Sequence, residues 1–104
     1  MLRNLDLVAL RSFVTVAESG GVTRAAGLLN LTQSAVSMQI RRLEDSLALQ
    51  LFCRSARRMS LSAEGEQLLT YARRMLELND EALARLTADV YEGELRIGVP
   101  HDIV

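Results

Sequence analysis

Lysine and tryptophan are absent from this 104-residue chain, and cysteine, histidine and proline occur once each, as Cys53, His101 and Pro100. A single cysteine excludes a disulfide within the chain, and one cysteine with one histidine cannot assemble a metal site at ligand spacing. Two Tyr and two Phe are the only aromatics while 49% of residues are apolar, so a small core of Leu, Val and Ala is expected and disorder is not. No apolar run approaches the roughly 20 residues that cross a bilayer, and the N-terminus lacks the apolar stretch of a secretory signal. A soluble, cytoplasmic protein with no membrane contact follows as the expectation. Nothing pairs a nucleophile with a base and an orienting group, so neither enzymatic activity nor a cofactor is expected.

What the chain does have is a segregated charge. Its net −1 conceals eight arginines against four acids from Met1 to Ser60, and four arginines against nine acids from Leu61 to Val104. The first part is thus +4 and the second −5, so the balanced total does not argue against a polyanionic partner. Arginine suits phosphate and guanine edges. Genome base composition also produces an arginine bias, so the missing lysine carries little weight.

Apolar residues at Leu7, Leu10, Phe13, Val14 and Ala17 predict a helix over Leu5–Ser19, stopped by Gly20-Gly21. Thr23 is expected to cap a second, short helix through Leu29, with Asn30 as a left-handed stop. The paired Ala25-Ala26 suit a close crossing of two helices after a tight turn. Thr32 is expected to cap a third helix reaching about Leu47, with Val36, Ile40, Leu43 and Leu47 as its buried stripe. At about 100° per residue, Ser34, Met38 and Arg41 then lie opposite the core, with Ser37 on the flank. Small polar side chains and the positive dipole end share the front of this helix, which therefore suits the DNA major groove.

Leu51–Arg54 and Met59–Leu61 bracket Ser55–Arg58, which suits a small β-hairpin with arginine at its tip. Cys53 is expected as a buried thiol on the inner face of that hairpin. Ser62, followed by Glu64 and Glu66, opens a long helix. In it Leu68, Ala72, Met75, Asn79, Leu83, Leu86 and Val90 recur at steps of three and four. A partner helix or the chain's own domain fits this stripe. The partner is favoured because the period holds over about three heptads, and Asn79 would then fix register. Gly93 is expected to break the helix, and Leu95–Val99 alternates as a strand. A lone strand is not stable, so either the chain is a fragment of something longer, or this tail is disordered or borrowed by a neighbour.

The run Ala25-Ala26-x-x-Leu29-x-x-Thr32-Gln33-Ser34-Ala35-Val36-Ser37-x-Gln39-Ile40-x-x-Leu43-Glu44, continuing through Leu47, Leu51-Phe52-x-Arg54, Leu61-Ser62 and Gly65, resembles the N-terminal domain of LysR-type transcriptional regulators. The resemblance spans roughly residues 5 to 92 without a gap. Arg3-Asn4-Leu5-Asp6 and Leu78-Asn79-Asp80-Glu81-Ala82 are similar to a branch concerned with motility and virulence. The likeness implies a mainly α fold, a winged helix-turn-helix of three helices and a hairpin wing, followed by a long dimerisation helix. It divides the chain at 1–61, 62–92 and 93–104, the last being the start of a truncated effector-binding domain.

By the same resemblance, Gln33, Ser34, Ser37 and Met38 face bases of double-stranded DNA. Thr23, Arg24, Thr32, Arg41, Arg42, Arg54, Arg57 and Arg58 serve the backbone or the wing, with Arg57 the one that enters the minor groove. Arg41 and Arg42 are equally suited to ion pairs with Glu44 and Asp45. The stripe from Leu68 to Val90 forms a homodimer, which full regulators of this type extend to a tetramer, and any small-molecule inducer binds the missing domain. Three residues depart from the family pattern: Ala48 where Gly is common, Ser34 for a frequent Pro, and Met38 for a polar residue. A winged helix serving protein interaction without DNA is the alternative from another class.

Overall fold

Asp6 begins the first helix, α1 (Leu7–Ser19): its Oδ1 accepts from the amide of Val8 at 2.9 Å, satisfying one free donor of the first turn. The structure, a computed structural model, describes residues 3–55 and 58–94, with side chains described at all of these except 54, 55, 58 and 88–94. Gly20 ends α1 at φ 94, a left-handed turn that costs glycine nothing. Leu10, Phe13, Val14 and Val16 are buried, and α1 forms the centre on which the other helices pack. Its one buried polar residue, Ser12, donates its hydroxyl to Oε1 of Gln39.

Helix α2 (Val22–Leu29) starts two residues before the position expected from a Thr23 cap, so Thr23 lies inside the first turn and is not its cap. Gly21 occupies the capping position and offers no side chain. Ala25 and Ala26 are buried between helices, as a close crossing requires. Asn30 adopts the left-handed conformation at φ 61, and the Leu31 amide reaches back to the Ala26 carbonyl at 2.9 Å.

Helix α3 (Gln33–Leu47) is capped by Thr32, whose hydroxyl accepts from the Ala35 amide at 3.0 Å. Val36, Ile40 and Leu43 are buried and Leu47 partly so, reproducing the expected stripe. Ala48 ends the helix at φ 56, the left-handed position in which a Cβ is strained. Ala48→Gly is therefore expected to stabilise the fold by about 1 kcal/mol, read as a shift in the urea midpoint.

Strands β1 (Phe52–Ser55) and β2 (Arg58–Leu61) pair antiparallel, from Phe52 with Leu61 to Ser55 with Arg58. Phe52 is buried with its ring edge-on to Phe13, centroids 5.5 Å apart. Strand alternation then turns Cys53 outward, and the thiol is exposed, contrary to the inner-face expectation.

Helix α4 (Ala63–Glu94) is assigned past Gly93, so glycine alone does not break it there. Ser62 caps it, accepting from the Gly65 amide at 2.9 Å. The helix lies antiparallel along α1: Glu18 pairs with Arg73 and Arg11 with Asp80, both at 2.9 Å. The Arg11 guanidinium, with help from the Asn79 amide, holds the Asp80 carboxyl below its ordinary value. The expected seam divides along this helix. Ala72 has 0% of its surface exposed, and Leu68 and Met75 pack partly against the same core, because α1 covers that stretch. Asn79 is half-buried and donates to Asp80 at 3.1 Å. Past the Arg11–Asp80 pair the stripe opens, leaving Leu83 at 56% and Leu86 at 69% exposure, with Leu78 at 65% on a neighbouring face. The Val90 side chain and the expected strand at Leu95–Val99 lie outside the described residues.

Candidate nucleic-acid interface

The interface is built on the front of α3. Thr32 takes the Ala35 amide with its hydroxyl and the Val36 amide with its carbonyl at 3.1 Å. Among the described residues the amides of Gln33 and Ser34 have no partner, as the first turn of any helix dictates. Gln33, Ser34, Ser37 and Met38 are all exposed, Met38 by 51%. The buried stripe lies behind them, so the apolar back holds the helix while the polar front is presented to solvent. Donors, acceptors and one thioether are thus displayed at the positive end of a helix dipole.

Thr23, Arg24, Thr32, Arg41 and Arg42 are likewise exposed. Among the described residues the ion pairs are Arg11–Asp80, Arg73–Glu18 and Arg85–Glu81, so Arg24, Arg41 and Arg42 keep their charge available. Among the described residues the alternative pairing of Arg41 or Arg42 with Glu44 or Asp45 does not form. Glu44 instead turns to the base of the hairpin, where its Oε2 accepts from the Leu51 amide at 2.9 Å and the Phe52 amide at 3.4 Å. Sequence patterning missed this role, since nothing local distinguishes a helical Glu that binds a distant backbone from one that pairs with a neighbouring arginine. Arg54 and Arg58 belong to the paired strands, but their side chains, and Arg57 altogether, lie outside the described residues.

The described residues contain no group of three metal-ligating side chains, and no helix long and apolar enough to cross a membrane. A capped helix presenting amides and hydroxyls, seated against a second helix and followed by a two-stranded hairpin, matches a known arrangement. Residues 7–66 match the bacterial regulatory helix-turn-helix proteins of the lysR family. The chain belongs to the LysR family. Among similar LysR-type relatives, the transcriptional regulator DgdR of Burkholderia cepacia is 44% identical over 100 residues, covering 96% of this chain and 34% of that protein. The regulator PecT of Dickeya dadantii is 46% identical over 99 residues, covering 95% and 31%. The chain therefore spans about a third of the length of these relatives. The BenM DNA-binding domain, solved in complex with catB site 1 DNA, superposes with a TM-score of 0.76 at 34% identity, covering 80% of this chain and 92% of that one. The LysR-type winged helix-turn-helix is thus the fold of this chain, with α2 and α3 as its helix pair and β1–β2 as its wing.

Proposed function

We propose that this LysR-family chain binds double-stranded DNA sequence-specifically as the reading end of a longer transcriptional regulator. The observation that carries the reading is the front of α3, with Gln33, Ser34, Ser37 and Met38 exposed behind a formed Thr32 cap. In this reading α3 enters the major groove. Gln33, Ser34 and Ser37 hydrogen-bond to base edges, and Met38 meets an apolar group such as a thymine methyl. Thr23, Arg24, Thr32, Arg41 and Arg42 contact phosphates and set register without reading sequence. Arg54 and Arg58 flank the wing, and Arg57 at its tip enters a narrow minor groove. Two chains pair through α4, using the exposed Leu78, Leu83 and Leu86 together with Val90, and this supports a two-fold operator. Regulation by a small-molecule inducer belongs to the part of the relatives that the chain does not span. The activity is one of binding, without catalysis, in the cytoplasm.

Affinity for a duplex selected from a random pool is expected to fall steeply with salt, by a log–log slope near −0.9 for each phosphate neutralised. A flat response, or no retained duplex, removes the reading and leaves a protein-interaction module. Ser37→Ala is expected to lose about 1–3 kcal/mol of discrimination at one base position while binding to unrelated DNA is unchanged. Equal losses on every sequence would refute the assignment of Ser37 to a base.

A further inference from the structure

The reading helix and the wing must act on one duplex together, yet a two-stranded sheet has little orientation of its own. The foot of its first strand, residues 50–52, is tied to the rest of the fold at three places. The Phe52 ring meets Phe13. The Ser62 amide donates to the Leu51 carbonyl at 2.9 Å, and its hydroxyl to the Gln50 carbonyl at 2.6 Å. The third tie is the Glu44 carboxylate on the amides of Leu51 and Phe52. Only this last anchor belongs to α3.

Glu44 follows Ser37 by seven residues, which places it about 20° round the helix and about 10.5 Å further along. The flank that carries Ser37 is therefore the flank from which the wing departs. Both donors belong to buried residues and Glu44 is half-buried, so the bonds are partly screened from water, and a carboxylate acceptor makes them stronger than neutral ones.

We propose that Glu44 is a positioning residue for DNA binding: its carboxylate, bonded to the Leu51 and Phe52 amides, sets the angle of the wing against α3. The proposal rests on the DNA-binding reading above. Glu44 touches no DNA. Its effect falls on contacts made by the wing and not on bases read by α3.

The test uses the whole chain on its selected duplex, with two footprints. Dimethyl sulfate reports major-groove guanines under α3, and hydroxyl radicals report sugars in the flanks beneath the wing. Glu44→Ala is expected to weaken affinity about tenfold, the size of one charge-assisted contact, and to erase flank protection while the guanine footprint and base preference stay. Glu44→Gln keeps an acceptor oxygen and is expected to restore most of the flank protection. Proportional loss of both footprints in Glu44→Ala, or no change in either, overturns the proposal. If Glu44→Ala does not fold, Glu44→Leu, which keeps the bulk but has no acceptor oxygen, takes its place. Selective loss of its flank protection supports the proposal, and wild-type flanks or proportional loss of both footprints overturn it. Failure of the DNA-binding reading is separate, because the unsubstituted chain would then give no footprint.

Discussion

Phe13→Ala is expected to cost about 3–5 kcal/mol, the range for truncating a fully buried aromatic. Phe13 has no exposed surface, and its ring meets the edge of Phe52 at 5.5 Å and 60°. Phe52 is the only other phenylalanine, tryptophan is absent and Tyr71 lies exposed on α4, so among the described residues no ring stands ready to fill the space. Two losses add: the area returned to water, and the void left between α1 and the base of the wing. A domain of this size holds about 5–15 kcal/mol in all, so the variant unfolds well below the parent in urea, with an unchanged m-value. Phe13→Leu fills most of the space and is expected to cost about 1.5 kcal/mol or less. A midpoint for Phe13→Ala close to that of the parent would mean that the ring is not the keystone of this core.

Gly65→Ala carries the second large effect, through the opposite mechanism. A Cβ built on Gly65 lies 2.1 Å from the Leu51 carbonyl oxygen and 3.0 Å from the Leu61 side chain. The obstacle is backbone, and that carbonyl already accepts from the amide of Ser62, the residue that caps α4, so it cannot retreat without losing that bond. The first turn of α4 and the foot of β1 must part, and a cost at or above the upper end of the about 1–3 kcal/mol usual for overpacking is expected. Gly27→Ala is the internal control. Nothing lies within 4 Å of its built Cβ in α2, so the helix gains roughly 0.5–1 kcal/mol from the better helix former. Thermal melts of the two variants should therefore move in opposite directions. If both move down together, the close approach at Leu51 is not what confines residue 65.

The residues that were legible in the sequence act over short stretches of chain. Thr32, Asn30, Gly20 and Ser62 announce helix ends because each needs only its own few neighbours to cap or turn the backbone. The stripe of Val36, Ile40 and Leu43 was legible for the same reason, as was the exposure of Gln33 and Ser37 opposite it. Thr23 misled because Gly21 let α2 begin two residues sooner. Cys53 misled because inside and outside on a strand exchange with a one-residue shift in parity, and only the contact of Phe52 with Phe13 settles it. In α4 the period was correct, but the chain's own α1 covers the first half of the stripe. A heptad pattern states that a face is covered, not by what, and α1 claims Ala72 while Leu83 and Leu86 remain open. Glu44 and Gly65 were illegible as functional or constrained positions because both answer to Leu51, which is remote from any pattern on their own helices.

Ala72 and Leu76, buried where α4 packs on the core and flanked by two ion pairs to α1, join the helix-turn-helix and the first half of the long helix into one lever arm. In a dimer built on α4, the separation of the two heads is then a property of how far the arms overlap. Sliding one arm by a single heptad moves a head about 10.5 Å, close to three base-pair steps. In such a dimer the side chains beyond Asp80, far from any base that they could touch, would set the length of operator that fits.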